Sequence, residues 1–220
     1  MQTPTLQKPA LSKLALRLGL CAAAMVGVAA PMTAAHAVVV TFTTPIAVPN
    51  TFAGIYINLA TGANGITTAS VPGWDFGPWG STNVLSFFWN ATPAAANGGV
   101  AGSTTGPYLD LAAGSVISSA STFAATAASA QAAAFQSSGT HTLGFRFFNE
   151  STAAINYGYL TLQTTGPQGF PATVTGWSYE NSCGAITVVP ETSTTLMMSI
   201  GGLVLGALSL RRRQRRELDR

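Results

Sequence analysis

The chain has 220 residues, of which 47% are apolar and only 8% charged, with ten Lys and Arg against seven Asp and Glu for a formal net charge of +3. Every Lys and Arg except Arg146 lies before Val38 or after Val189, and between those positions the only other charged residues are Asp75, Asp110, Glu150 and Glu180. That middle part lacks the cationic surface that a nucleic-acid partner requires, and it offers few groups for acid–base catalysis.

Residues 1–37 have the three parts of a secretory signal. Lys8, Lys13 and Arg17 give a positive start, Leu18 to Ala30 an apolar segment that predicts a signal helix, and Ala35-His36-Ala37 an A-x-A cleavage site before Val38. Cys21 follows Leu20, where a lipoprotein signal needs a small residue, so the segment reads as an ordinary signal peptide. Its removal leaves about 150 residues up to Val189, enough for one domain with a real core.

That domain, residues 38–189, carries the pattern of an all-β protein. Val38 to Phe42 is β-branched and stops at Pro45. Gly54 to Leu59 alternates, with Ile55, Ile57 and Leu59 on one face and Tyr56 and Asn58 on the other. Val84 to Asn90, Thr142 to Phe148, Ala154 to Gln163, Ala172 to Tyr179 and Ala185 to Val189 complete seven predicted strands, with Leu143, Phe145 and Phe147 inward and Arg146 outward. Turn signals separate them at Thr61 to Gly65, Asn97-Gly98-Gly99 and Gly166 to Gly169. Short strands with Gly- and Pro-rich connections predict an antiparallel β-sandwich or jelly roll. The alanine-rich stretch Ala124 to Gln136 predicts a short helix. Cys183 is the one cysteine of this part, so no internal disulfide forms, and a buried thiol is the expectation over an intermolecular bridge.

Two aromatic clusters are the candidate sites. Val71 to Gly80 reads as a turn-rich loop carrying Trp74, Asp75 and Trp79. Indole faces there suit the C–H faces of sugars, and Asp75 suits their hydroxyls; the plainer alternative is that both indoles plug the end of the sandwich. Trp177 and Tyr179, with Glu180, invite the same two readings, the core one leading.

Catalytic and metal readings are weaker. His141 is the one histidine after the signal, and a Ser–His–Asp set with Asp75 or Asp110 can be drawn, but no G-x-S-x-G elbow is present. No spacing among Asp75, Asp110, Glu150 and Glu180 selects a glycosidase pair. One histidine and one cysteine make zinc improbable, and neither Asp75 nor Asp110 lies in an acid-rich calcium loop. The expectation is a protein with no enzymatic role and no cofactor. Asn90-Ala91-Thr92 and Asn149-Glu150-Ser151 fit an N-glycosylation acceptor pattern.

Residues 190–220 form the last unit. Thr194 to Leu210, 17 residues, contains no charge. As a helix it spans roughly 25 Å, at the short end of what crosses a bilayer. Arg211, Arg212, Arg213, Arg215 and Arg216 follow at once and hold that end in the cytoplasm by the positive-inside rule.

Val189-Pro190-Glu191, the apolar run and the arginine cluster, in that order, resemble the PEP-CTERM sorting signal. Thr192 stands where that signal has its second proline. The resemblance implies a Gram-negative, exopolysaccharide-producing source, passage through the general secretion machinery, transient anchoring in the inner membrane and processing by an exosortase-like membrane protease. Gly54 to Gly62, Pro72 to Phe76, Leu111 to Ile117, Gly144 to Phe147, Tyr157 to Leu162 and Trp177 to Glu180 are similar to exported domains that carry this tail and have no assigned activity. Those domains often have Trp-Ala-Arg where Tyr159-Leu160-Thr161 stands here. The expected role is a structural or interaction component of the cell surface or extracellular biofilm matrix, with exopolysaccharide as a partner. The alternative is a carbohydrate-binding module using Trp74, Asp75 and Trp79.

Overall fold

In the computed structural model, which describes residues 38–189, the regular structure begins with two short strands, β1 (Val39–Phe42) and β2 (Ile46–Val48). Pro45 separates them, since its ring fixes φ and removes a backbone donor. Both pair antiparallel with the same later strand, β12 (Ala172–Glu180), one along each half of it. The predicted signal segment, with Ala35 and Ala37, and the predicted sorting signal, with Pro190, Glu191, Thr192 and the five arginines, lie outside the described residues. Among those described, no helix is long and apolar enough to cross a membrane.

The centre of the fold is a long hairpin of β10 (Gly139–Asn149) and β11 (Ala154–Thr164), in register from Gly139 opposite Thr164 to Asn149 opposite Ala154. With β7 (Gly98–Val100) and β9 (Phe123–Ala124) they make a seven-stranded antiparallel sheet in the order β1-β12-β11-β10-β7-β9, with β2 beside β12. A second sheet of four strands, in the order β4-β3-β5-β6, contains β3 (Tyr56–Ile57), β4 (Asn64–Gly65), β5 (Phe76–Ser81) and β6 (Val84–Trp89). A ribbon of β8 (Val116–Ile117) and β13 (Ile186–Thr187) completes the set.

Alternation of side chains explains how these layers stack. Leu143, Phe145 and Phe147 of β10 and Leu160 and Leu162 of β11 are buried in one core with Ile57, Phe76, Leu85, Phe87 and Trp89 of the smaller sheet. Each such side chain contributes roughly 1.5–3 kcal/mol on burial. Two antiparallel sheets face each other across this core, which is the expected β-sandwich. The opposite face of the large sheet presents Tyr157, which joins Ile117, Ile186 and Val188 in a smaller cluster beneath the ribbon. On β12 a bulge keeps the pattern inward: Thr161 pairs with Gly176 and Leu162 with Val174, so Thr175 is an extra residue. Val174 and Trp177 therefore both face the core.

Several expectations are corrected. The second half of the predicted 71–80 loop is strand β5. The Gly98-Gly99 pair is strand and not turn: a Cβ on Gly98 would strike the Ala124 carbonyl, and one on Gly99 the Tyr108 ring. These glycines permit close approach within the sheet. The stretch 124–136 is not one α-helix. Its first residue ends β9, Ala128 is extended, and only Ser129–Phe135 coils, as a 3-10 helix. Tyr108 pins the extended part, its hydroxyl donating to the Thr126 carbonyl at 2.9 Å and its N–H to that of Gln131 at 2.8 Å. Ala132 and Phe135, three apart and buried, then share the inward side of the coil. That coil packs on β6, whose Leu85 N–H is taken by Gln168 and whose Leu85 carbonyl is taken by Gln136, closing the sheet edge.

Candidate functional site

Because β5 starts at Phe76, Trp79 stands in a strand and Trp74 in the turn before it. Neither indole plugs the end of the sandwich. Phe76 is buried inward, so Gly77 and Trp79 point outward, as do Tyr56 beside buried Ile57 and Phe88 beside buried Phe87. The outer face of the four-stranded sheet is therefore aromatic. Trp74 meets Tyr56 edge-on at 4.9 Å between ring centroids and stacks on Phe88 at 5.4 Å with 29° between planes. Phe52 meets Trp79 edge-on at 4.8 Å.

Phe52 reaches that position through Gly54. This glycine has φ +58°, and a Cβ there would collide with the Pro78 carbonyl and Trp79. Its absence lets the 51–55 segment lie against β5, with Gly80 N–H donating to the Thr51 carbonyl at 2.9 Å and Ile55 N–H to that of Pro78 at 3.1 Å. Phe52, Tyr56, Gly77, Trp79 and Phe88 line a groove of about 280 Å³. Phe52 is 82% and Phe88 42% exposed. The two indoles were legible in the sequence as site candidates, and the other three rings were not. Outward alternation at Tyr56 and Phe88 was a usable signal, whereas Phe52 sits in a turn with no periodicity.

Asp75 does not belong to this face. Its side chain is buried, and Oδ2 accepts the Leu59 N–H at 2.8 Å. Its backbone takes part in the same tie, its N–H donating to the Ile57 carbonyl and its carbonyl accepting from Asn90. Burial, with a smaller contribution from the neighbouring Glu150 charge, pushes its pKa up to about 8 against the lowering effect of the Leu59 bond. Asp75 thus clasps the β3 segment from beneath, with Asn58 bonding Pro72, Gly73, Ala60 and Thr61 alongside. Trp177 and Tyr179 are core residues, as the leading reading has it: the Trp177 indole N–H donates to the Leu59 carbonyl at 2.9 Å. Glu180 is buried too and accepts from Ser182 and Gly184, shaping the turn in which half-buried Cys183 has φ 64°.

A Ser–His–Asp arrangement does come together, from Ser137, His141 and Asp110. His141 Nδ1 lies 2.7 Å from Asp110 Oδ2, and Asp110 Oδ1 accepts the Thr142 N–H at 2.8 Å. On the other side Nε2 is 3.4 Å from Ser137 Oγ but 3.1 Å from the Ser137 carbonyl, which also accepts from Thr164 Oγ1 at 2.6 Å. The imidazole is held nearer to a turn carbonyl than to the hydroxyl, so the set reads as a clasp between the 137–138 turn, β10 and the 110 segment. Among the described residues, no three His, Cys, Asp or Glu side chains gather as a metal-binding group.

The class defined here is an antiparallel β-sandwich with a neutral aromatic outer face. Compared with known proteins, the chain matches no family model, no curated protein and no solved structure.

Proposed function

We propose that this is an exported bacterial protein, held at the inner membrane by its apolar run and arginine cluster, then processed by an exosortase-like membrane protease. Its mature role is non-enzymatic: a structural or interaction component of the cell surface or exopolysaccharide matrix. The observation that carries this reading is the order of Val189-Pro190-Glu191, the uncharged stretch 194–210 and the five arginines behind a signal-like start. Two features of the domain support it. The surface between the targeting segments has almost no charge, which suits many weak hydrogen bonds to a hydrated polymer, and His141 is engaged in a clasp that leaves its turn well tied. The second reading, a specific carbohydrate-binding module, is favoured by Trp74 and Trp79 sharing one face with three more rings.

Fractionation of the native host into inner membrane, envelope, polysaccharide matrix and medium tests the proposal. The protein is expected in the matrix or on the surface, and an Arg-to-Ala exchange across the cluster is expected to disturb that placement. Recovery in the inner membrane alone, for both forms, would contradict it.

A further inference from the structure

We infer that the groove between Phe52, Tyr56, Trp79 and Phe88 is a binding site for an uncharged glycan. This rests on the matrix reading and names the contact by which the domain meets its polymer.

Charge selects the ligand. No Asp, Glu, His, Lys or Arg side chain lines the groove. Arg146, the one cation of the described residues, is on the other sheet, with its guanidinium 4.7 Å from the Phe123 ring. Asp110 is committed to His141, and Glu180 to its own turn. Glu150 is exposed and lies beside Gly73, where its charge acts on buried Asp75. Nothing in the lining attracts a uronate, sulfate or phosphate. Aromatic faces with partially negative π-clouds instead favour the C–H-rich faces of neutral sugar rings.

Polar atoms select a hydroxylated ligand over a purely apolar one. Trp79 and Ser86 are cross-strand partners on the outward face of β5 and β6. Trp79 Nε1 and Ser86 Oγ are both sealed from solvent and have no hydrogen-bond partner. Buried polar groups are nearly always paired, so an orphan donor beside an orphan hydroxyl marks a place where a partner is missing. For sugar hydroxyls to reach this pair a covering side chain must turn aside, and Phe52, 82% exposed and edge-on against Trp79, is the ring we assign to that movement. A quaternary ammonium would use the rings but leave both atoms unpaired.

The test is affinity electrophoresis of the full chain in mild detergent, through native gels containing hydroxyethylcellulose, galactomannan or alginate. Retardation is expected in at least one neutral gel and not in alginate. Phe88→Ala and Phe52→Ala are expected to weaken it about tenfold or more with an unchanged melting temperature. Trp79→Ala is expected to do the same, and the two phenylalanine variants keep the test decisive should that protein fail to fold. No retardation in either neutral gel, equal retardation of wild type and Phe88→Ala, preference for alginate, or displacement by tetramethylammonium would each overturn the inference. So would a concentration-dependent dimer lost in Phe88→Ala without glycan binding, because the face would then be a contact between copies. Matrix recovery of a protein that binds no neutral glycan removes the groove and leaves the matrix role. Groove binding by a protein found only in the inner membrane does the reverse.

Discussion

Nδ1 of His141 lies 2.7 Å from Oδ2 of Asp110, and the same carboxylate holds the neighbouring Thr142 N–H through its other oxygen. One side chain thus ties the 110 segment to β10 at two points. Asp110→Ala removes both bonds and leaves a buried imidazole short of an acceptor. The expected loss is about 1–2 kcal/mol, seen as a fall of a few degrees in melting temperature. Ser137→Ala removes only the long 3.4 Å contact and is expected to leave stability within about 0.5 kcal/mol. Neither variant is expected to change turnover on a panel of esters and polysaccharides, because the wild type is expected to show none. Wild-type hydrolysis lost in both Ser137→Ala and His141→Ala would contradict the non-enzymatic reading.

Asp75 makes stability fall as pH rises. Its folded pKa, about 8, is above the ordinary 3.8, so between about pH 4 and pH 8 the native state holds a proton that the unfolded chain has released. Stability is greatest at the acid end of that window and declines by at most about 1.4 kcal/mol per pH unit until the folded carboxyl has ionised. Asp75→Asn keeps an acceptor for the Leu59 N–H and is expected to flatten the profile. Glu150→Gln, by removing a repelling charge, is expected to move the upper end of the window down. Urea midpoints at pH 5 and pH 8 check both, and an undiminished decline in Asp75→Asn would rule this origin out.

Trp177 and Trp74 differ in burial, and their substitution should show it. Trp177 is buried, stacks on Phe42 at 4.6 Å and donates to the Leu59 carbonyl. Trp177→Ala is expected to cost about 3–5 kcal/mol, enough to unfold much of a marginally stable domain. Trp74→Ala, at a half-exposed position, is expected to cost under about 1.5 kcal/mol. Denaturant titrations of the two proteins give the comparison, and similar losses would mean that the outer face is part of the core.

The long strands were legible in the chain because alternation over many residues is hard to mimic. Leu143, Phe145 and Phe147 point inward as expected, opposite Leu160 on the partner strand. The short strands were not, since two or three residues such as Val116–Ile117 or Phe123–Ala124 hold no period, and their pairing comes from distant chain. Gly98 and Gly99 misled because a glycine pair signals a turn locally but here admits the Tyr108 ring and the Ala124 carbonyl. At the candidate site, the indoles were visible as residue types, while the burial of Asp75 depended on Leu59 folding over it. A carboxylate next to a tryptophan looks like a ligand contact until its surroundings are known.

We propose that the chain is sorted by its tail and released or displayed outside the inner membrane. Intact mass of the protein recovered from outside the native cells, compared with an exosortase-deficient strain, tests this most directly. The wild type is expected to yield a species running from Val38 to the neighbourhood of Pro190, and the deficient strain to retain the arginine cluster. A mass that still includes Arg220, found with the inner membrane in both strains, would contradict it.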